Sequence, residues 1–165
     1  MIAGQLTLTH GLPLVQTARL FAQLNMAEAD AAIASWKAKF TYNFWRPITA
    51  IRNADIDGNA LTLSDATWEA LIVTPPFPDY TSGHSTFSGA ASVVLASYFG
   101  TDRGFSPQSD NGLSTRTFAN FAAAADEAGM SRIYGGIHYE SANEDALATG
   151  RAIAKQVLSR FLESK

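Results

Sequence analysis

Three short segments carry most of the side chains that could do chemistry. Lys39 is followed after six residues by Arg46-Pro47; Ser82-Gly83-His84 comes next; Ser131-Arg132 is followed after five residues by His138. In that order they supply three cations, a hydroxyl, a glycine amide and two imidazoles. Such a set suits a tetrahedral oxyanion. Lysine offers a compact charge and arginine a planar fork that holds two oxygens. A glycine at the start of a helix lets unpaired backbone N–H groups approach an anion. His84 titrates near neutral pH, and His138 suits a nucleophile or a metal ligand. Each segment alone has an ordinary reading: surface cations on an amphipathic helix, a serine cap, a loop arginine beside a structural histidine. It is the convergence of all three that argues for a site. His10, the third histidine, reads as a surface residue with no role.

The elements that must position these residues read as helices. Apolar residues recur at the helical period from 13 to about 44, including Leu14, Leu20, Phe21, Leu24, Ile33 and Trp36. Arg46-Pro47 interrupts that run, since proline lacks an N–H and disfavours helix at the residue before it. If helix persisted, Lys39 and Arg46, seven apart, would share a face. Residues 53–63 form a polar loop with a DG turn, and Ser64 or Asp65 caps a short helix through Leu71. TPPFPDYTSGH has three prolines and is irregular. Helix is expected from His84 to Phe99 with Gly100 as its stop, a loop over 101–113, and helix again from Ser114 to Gly129. Gly135-Gly136 lies in the segment 131–142. The last helix starts near Asn143, with Ala146, Thr149, Ile153, Val157 and Phe161 as its buried stripe. No alternation long enough for a sheet is present. The expected architecture is a single all-α helical bundle over residues 1–165.

Composition bounds the function. With 47% hydrophobic and 16% charged residues the chain is not disordered. A net charge of −3 argues against a general nucleic-acid binder, so the three cationic segments are a local feature. Cysteine is absent, which excludes disulfides, thiolate metal sites and a cysteine nucleophile. There is no membrane span and no export-signal pattern, and the compartment is left open.

The ordered pattern Lys-x6-Arg-Pro, Ser-Gly-His, Ser-Arg-x5-His resembles the signature shared by vanadium-dependent haloperoxidases and the type 2 phosphatidic acid phosphatase superfamily. The gaps fit as well: 34 residues separate Pro47 from Ser82, and 46 separate His84 from Ser131. The resemblance runs from about Leu14 to Phe161. YNFWRPITAIR, TPPFPDYTSGHSTFSGA and SRIYGGIH look most like the soluble bacterial haloperoxidase branch. It implies vanadate as cofactor, with Lys39, Arg46, Ser82, Gly83 and Arg132 around its equatorial oxygens and His138 bound apically to vanadium. His84 is implied as the acid–base group for the peroxide proton. Trp36, three residues before Lys39, and Phe77, five before Ser82, match aromatics on the halide side of chloroperoxidase-like pockets; both also fit a core.

The function so implied is oxidation of bromide or chloride by hydrogen peroxide to a hypohalous acid equivalent, with a small organic acceptor. The alternatives are an acid phosphatase acting on a phosphate ester through His138 as phosphohistidine, and a non-catalytic phosphate-binding remnant. Two departures bear on the site. Thr81 stands where the family has proline, which should loosen the loop. Ala142 stands where the family often has aspartate, four residues after His138, leaving Glu140, Glu144 or Asp145 as substitute acids. Haloperoxidases usually carry a second bundle upstream, and this chain begins just before the motif-bearing half. A lone bundle would then expose apolar residues around Leu20, Phe21 and Leu24, which predicts a homodimer.

Overall fold

The computed structural model describes residues 2–108 and 115–161. Helices α1 (Ile2–Thr9), α2 (Leu14–Tyr42), α3 (Pro47–Arg52), α4 (Gly83–Phe99), α5 (Phe121–Tyr134) and α6 (Glu140–Arg160) follow in order. Among the described residues the only β pairing is two isolated bridges, Phe105–Phe118 and Gln108–Thr115, so the architecture is all-α. Helix α4 lies at the centre and packs on α2, α5 and α6.

Helix α2 ends where its backbone reverses. Asn43 adopts the left-handed conformation at φ 47°, and its N–H bonds Lys39 O at 2.9 Å. The helix therefore does not reach Arg46, and Lys39 and Arg46 do not share a helix face. They come together because the chain turns back at Asn43 and restarts at Pro47, the first residue of α3, where the missing N–H costs nothing. Helix α4 starts on Ser82, whose Oγ accepts from Ser85 N–H at 3.5 Å, and stops at Gly100 with φ 101°.

Several elements differ from the sequence reading. The short helix from Ser64 or Asp65 to Leu71 does not form. Asp65 Oδ1 instead accepts from the Thr67 N–H at 2.9 Å and hydroxyl at 2.6 Å, a local turn that competes with helix. Ser114, the expected start of the fifth helix, lies outside the described residues, and helix begins only at Phe121. Residues 115–118 are drawn into the bridges with 105–108, and Asn120 caps α5 by accepting from Ala123 N–H at 2.8 Å. Helix α5 then runs to Tyr134, so Ser131 and Arg132 sit in its last turn rather than in a loop. Helix α6 starts at Glu140, three residues early, and buries Ala142, Ala146, Leu147, Gly150, Ala154 and Val157. Thr149 and Ile153 are only half-buried and Phe161 is exposed.

The core joins Leu20, Ala27 and Ala31 of α2 to Ala90, Val94 and Leu95 of α4, Phe121 of α5, and Ala154 and Val157 of α6. Leu20 is fully buried, and Phe21 and Leu24 pack against this cluster. They are not the exposed apolar face from which a dimer was expected; the exposed large apolar residues of α2 are Leu14, Val15, Ile33, Trp36, Phe40 and Tyr42. Small residues set the approach of α4 to α6. A Cβ on Gly89 would lie 2.7 Å from Leu147 O, and one on Gly150 would lie 2.0 Å from Thr86 O. Gly150→Ala must push the two helices apart and should destabilise the fold by about 1–3 kcal/mol. Urea unfolding measures this, and an unchanged midpoint would mean the helices slide apart freely. No helix among the described residues is long and apolar enough to cross a membrane.

Candidate active site

The three segments meet at one end of the bundle. A cavity of about 250 Å³ is lined by Trp36, Arg46, Pro75, Phe77, Gly83, His84, Phe87, Ser88, Ile137 and His138. Arg46, Gly83, His84 and His138 are thus brought to one space, with Trp36 and Phe77 in its wall. The two rings lie 5.5 Å apart, and Phe87 adds a third, 6.2 Å from Trp36. Lys39, Ser82 and Arg132 are not in the lining. They stand behind it or beside it.

Arg46 is held with little freedom. Its Nε donates to Phe77 O at 2.9 Å and its Nη1 to Ile137 O at 2.7 Å, and the guanidinium lies 5.2 Å from the Phe77 ring. Nη1 also lies 3.0 Å from His138 Nε2. The third nitrogen, Nη2, is buried without a partner. A buried guanidinium nitrogen with nothing to bond is costly unless the cavity supplies an acceptor.

His138 follows the turn Gly135-Gly136, whose second glycine has φ 73°. It is buried between Arg46 and Asp79: Nδ1 is 2.7 Å from Asp79 Oδ1 and Nε2 is 3.0 Å from Arg46 Nη1. The approach to Asp79 is close but not aligned as a hydrogen bond. Burial pulls the His138 pKa down, Asp79 opposes this, and Arg46 and Lys39 add to it. A neutral ring results, with Nε2 as its lone-pair nitrogen because arginine can only donate.

Lys39 is fully buried, and its ammonium donates to three backbone carbonyls: Pro78 and Asp79 at 3.0 Å and Thr81 at 2.5 Å. It fastens the loop before α4, and its charge rather than a free N–H faces the cavity. The Phe77 ring lies 5.2 Å from its Nζ, so that ring contacts two cations. Burial first, then Arg46, lowers the Lys39 pKa to about 8. Thr81 does not loosen this loop. It is buried, and its carbonyl accepts from Lys39 and from Ser35 Oγ.

Ser82 is fully buried as the helix cap; its Oγ accepts from Ser85 Oγ at 2.9 Å, and its N–H bonds Ala142 O at 2.9 Å. The N–H groups of Gly83 and His84, in the first turn of α4, have no carbonyl to bond within the helix. Arg132 is half-buried, with Nε on Ser131 Oγ at 3.0 Å and Nη1 3.5 Å from His84 Nε2. The exposed His84 has its pKa lowered, by desolvation most, then by Arg132 and His138. His10 is half-buried, 3.3 Å from Arg103 Nη2, and lines a different cavity.

Asp79 was missed by sequence reasoning, which sought an acid after His138. Glu140 and Glu144 are exposed, and Asp145 accepts from Tyr80 OH at 2.9 Å; none substitutes at the histidine. Ala142 is buried and contributes only its carbonyl. The available signal was an acid inside the irregular string that leads to Ser82-Gly83-His84. Asp79 also raises the buried Tyr139 phenol, after desolvation, to about 12.

Two buried cations, Lys39 and Arg46, thus face one buried carboxylate, with Arg132 nearby. Among the described residues no three of His, Asp or Glu converge as a site for a bare cation. The excess positive charge, the unpartnered Arg46 nitrogen and the helix N-terminal N–H groups suit an oxyanion rather than a bare cation.

Comparison with known proteins agrees. Residues 19–164 match the family described as VCPO second helical-bundle domain. The vanadium chloroperoxidase of Curvularia inaequalis is 40% identical over 91 residues, covering 50% of this chain and 14% of that protein. A crystal structure of a bacterial vanadium-dependent iodoperoxidase superposes with TM-score 0.86 at 39% identity, over 98% of this chain and 38% of that one. A holo bacterial vanadium-dependent chloroperoxidase shares the fold, with TM-score 0.65 at 19% identity over 82% of this chain and 34% of that one. The chain therefore spans well under half the length of these relatives. On the matched domain and the superposition over nearly its whole length, the chain belongs to the vanadium haloperoxidase family.

Proposed function

We propose that this chain carries the vanadate pocket of a haloperoxidase that uses hydrogen peroxide to oxidise a halide. The observation that carries the reading is the buried, unpartnered Arg46 Nη2 beside the His138 lone pair, in a cavity shared with His84. His138 Nε2 would bind the metal. Arg46 Nη2, the Ser82 hydroxyl and the N–H groups of Gly83 and His84 would hold the oxyanion, with Lys39 and Arg132 supplying charge. Bound vanadate supplies a Lewis-acidic centre that activates peroxide toward halide.

The protein's own part is proton handling and water exclusion. His84 has its pKa lowered, so its imidazole is neutral near pH 7 and takes a proton from incoming peroxide. Its exposed position allows that proton to return to solvent. Trp36, Phe77 and Phe87 present an apolar wall that strips water from an approaching halide. The phosphatase reading uses the same Nε2 lone pair as a nucleophile on phosphorus, so one experiment separates the two. The purified chain is assayed with and without orthovanadate for peroxide-dependent halogenation of a phenolic dye, with iodide, bromide and chloride, and for phosphomonoester hydrolysis. Halogenation that appears only with orthovanadate supports the proposal; ester hydrolysis that orthovanadate inhibits, with no halogenation, overturns it.

Lys39 gives the pocket a pH limit. Below about pH 8 its ammonium is charged; above it the buried amine loses its proton. Oxyanion affinity should therefore be constant from pH 6.5 to 7.5 and fall as pH rises through about 8. Tungstate stays dianionic over this range, so calorimetry with tungstate isolates the protein's titration. An affinity that is flat to pH 9.5 would show that Lys39 keeps its proton or contributes nothing.

A further inference from the structure

We propose that Asp79 is the positioning residue of this pocket: its carboxylate fixes the His138 tautomer whose Nε2 is unprotonated, the form a bond to the oxyanion's central atom requires. The inference deepens the haloperoxidase reading and rests on it.

Asp79 is fully buried and is the one carboxylate among the buried polar residues described. Its Oδ1 lies 2.7 Å from His138 Nδ1 and 3.9 Å from Arg46 Nη1. Neither carboxylate oxygen has another partner. An unpaired Nδ1 facing a carboxylate oxygen would place two lone pairs in contact, so the ring proton belongs on Nδ1. The same conclusion comes from the other side of the ring, where Arg46 Nη1 can only donate to Nε2. Two neighbours thus impose one tautomer. It is the tautomer a metal-binding or nucleophilic Nε2 requires.

The backbone aims this carboxylate. Asp79 N–H bonds Phe44 O at 2.9 Å, and Asp79 O accepts from Lys39 Nζ at 3.0 Å. The residue is tied both to the end of α2 and to the segment before α3, where Arg46 sits. Lys39 therefore acts on His138 through the loop it fastens. The acids that follow His138 in sequence are turned to solvent or to Tyr80, and Ala142 has no polar side-chain atom to offer. The carboxylate that faces His138 thus comes from the loop before α4 and not from the start of α6.

The test uses the chain labelled with ¹⁵N at histidine. Wild type should show His138 protonated on Nδ1. Asp79→Asn can present its amide N–H to the ring, so it should populate the Nε2–H form and bind orthovanadate about 10- to 100-fold more weakly, with helix content retained. A packing role alone would leave the tautomer unchanged. An Nε2–H ring in wild type overturns the inference, as does an Asp79→Asn chain with wild-type tautomer and wild-type affinity. Should Asp79→Asn fail to fold, Asp79→Ala decides: a ring that stays wholly in the Nδ1–H form with wild-type orthovanadate affinity overturns the inference. A wild-type chain that shows Nδ1–H but binds no oxyanion overturns the haloperoxidase reading and leaves Asp79 as the group that orients His138.

Discussion

His138→Ala should remove peroxidase activity and weaken orthovanadate by more than the roughly 10- to 100-fold that losing an outer-shell partner costs. The imidazole turns an unprotonated Nε2 to the cavity, because Asp79 faces Nδ1 and Arg46 can only donate to Nε2. Alanine leaves two buried cations and a buried carboxylate with no donor for the oxyanion's central atom. The charge that attracts the oxyanion survives, so weak binding should persist and remain sensitive to salt. The measurement is a calorimetric titration alongside the halogenation assay. Full activity in His138→Ala would end the account.

His84→Ala should give the opposite pattern. His84 is exposed, touches Arg132 only at 3.5 Å, and offers the cavity a neutral ring beside its own backbone N–H. Substitution by alanine keeps that N–H. Orthovanadate affinity should stay within a few-fold of wild type, while turnover falls by about 100- to 10,000-fold, the range for a general acid–base group. Because the ring's lowered pKa makes it a base at neutral pH, the remaining wild-type activity should decline as pH falls and the imidazole becomes protonated. An affinity loss in His84→Ala as large as in His138→Ala would contradict the separation of binding from proton transfer.

Much of the site was legible in the sequence, because its residues are placed by short-range rules. Gly83 and His84 open a helix after a proline-rich loop. Arg46 precedes a proline that must begin a helix. His138 follows a glycine pair that turns the chain. What was not legible depends on how loops fold over helices. Lys39 reads as an oxyanion ligand, yet its three donors meet carbonyls at 78, 79 and 81, and nothing local predicts that the loop returns over the end of α2. Asp79 escaped for the same reason: its partners lie 33 and 59 positions away, at Arg46 and His138. Leu20 reads correctly as apolar, but which neighbour covers it is a question of helix packing, and α4 answers it. The fifth helix was placed early because 114–120 holds no glycine or proline to stop a helix, yet there pairing of 115–118 with 105–108 competes and wins.

The most direct measurement of the central claim is competition between oxyanions. Orthovanadate is titrated into the chain by calorimetry at pH 7, alone and with inorganic phosphate, and repeated with Arg46→Lys. The account predicts one saturable site, displaced by phosphate, and weakened in Arg46→Lys because the planar fork is lost. Absence of saturable binding, or binding indifferent both to phosphate and to Arg46→Lys, would contradict it.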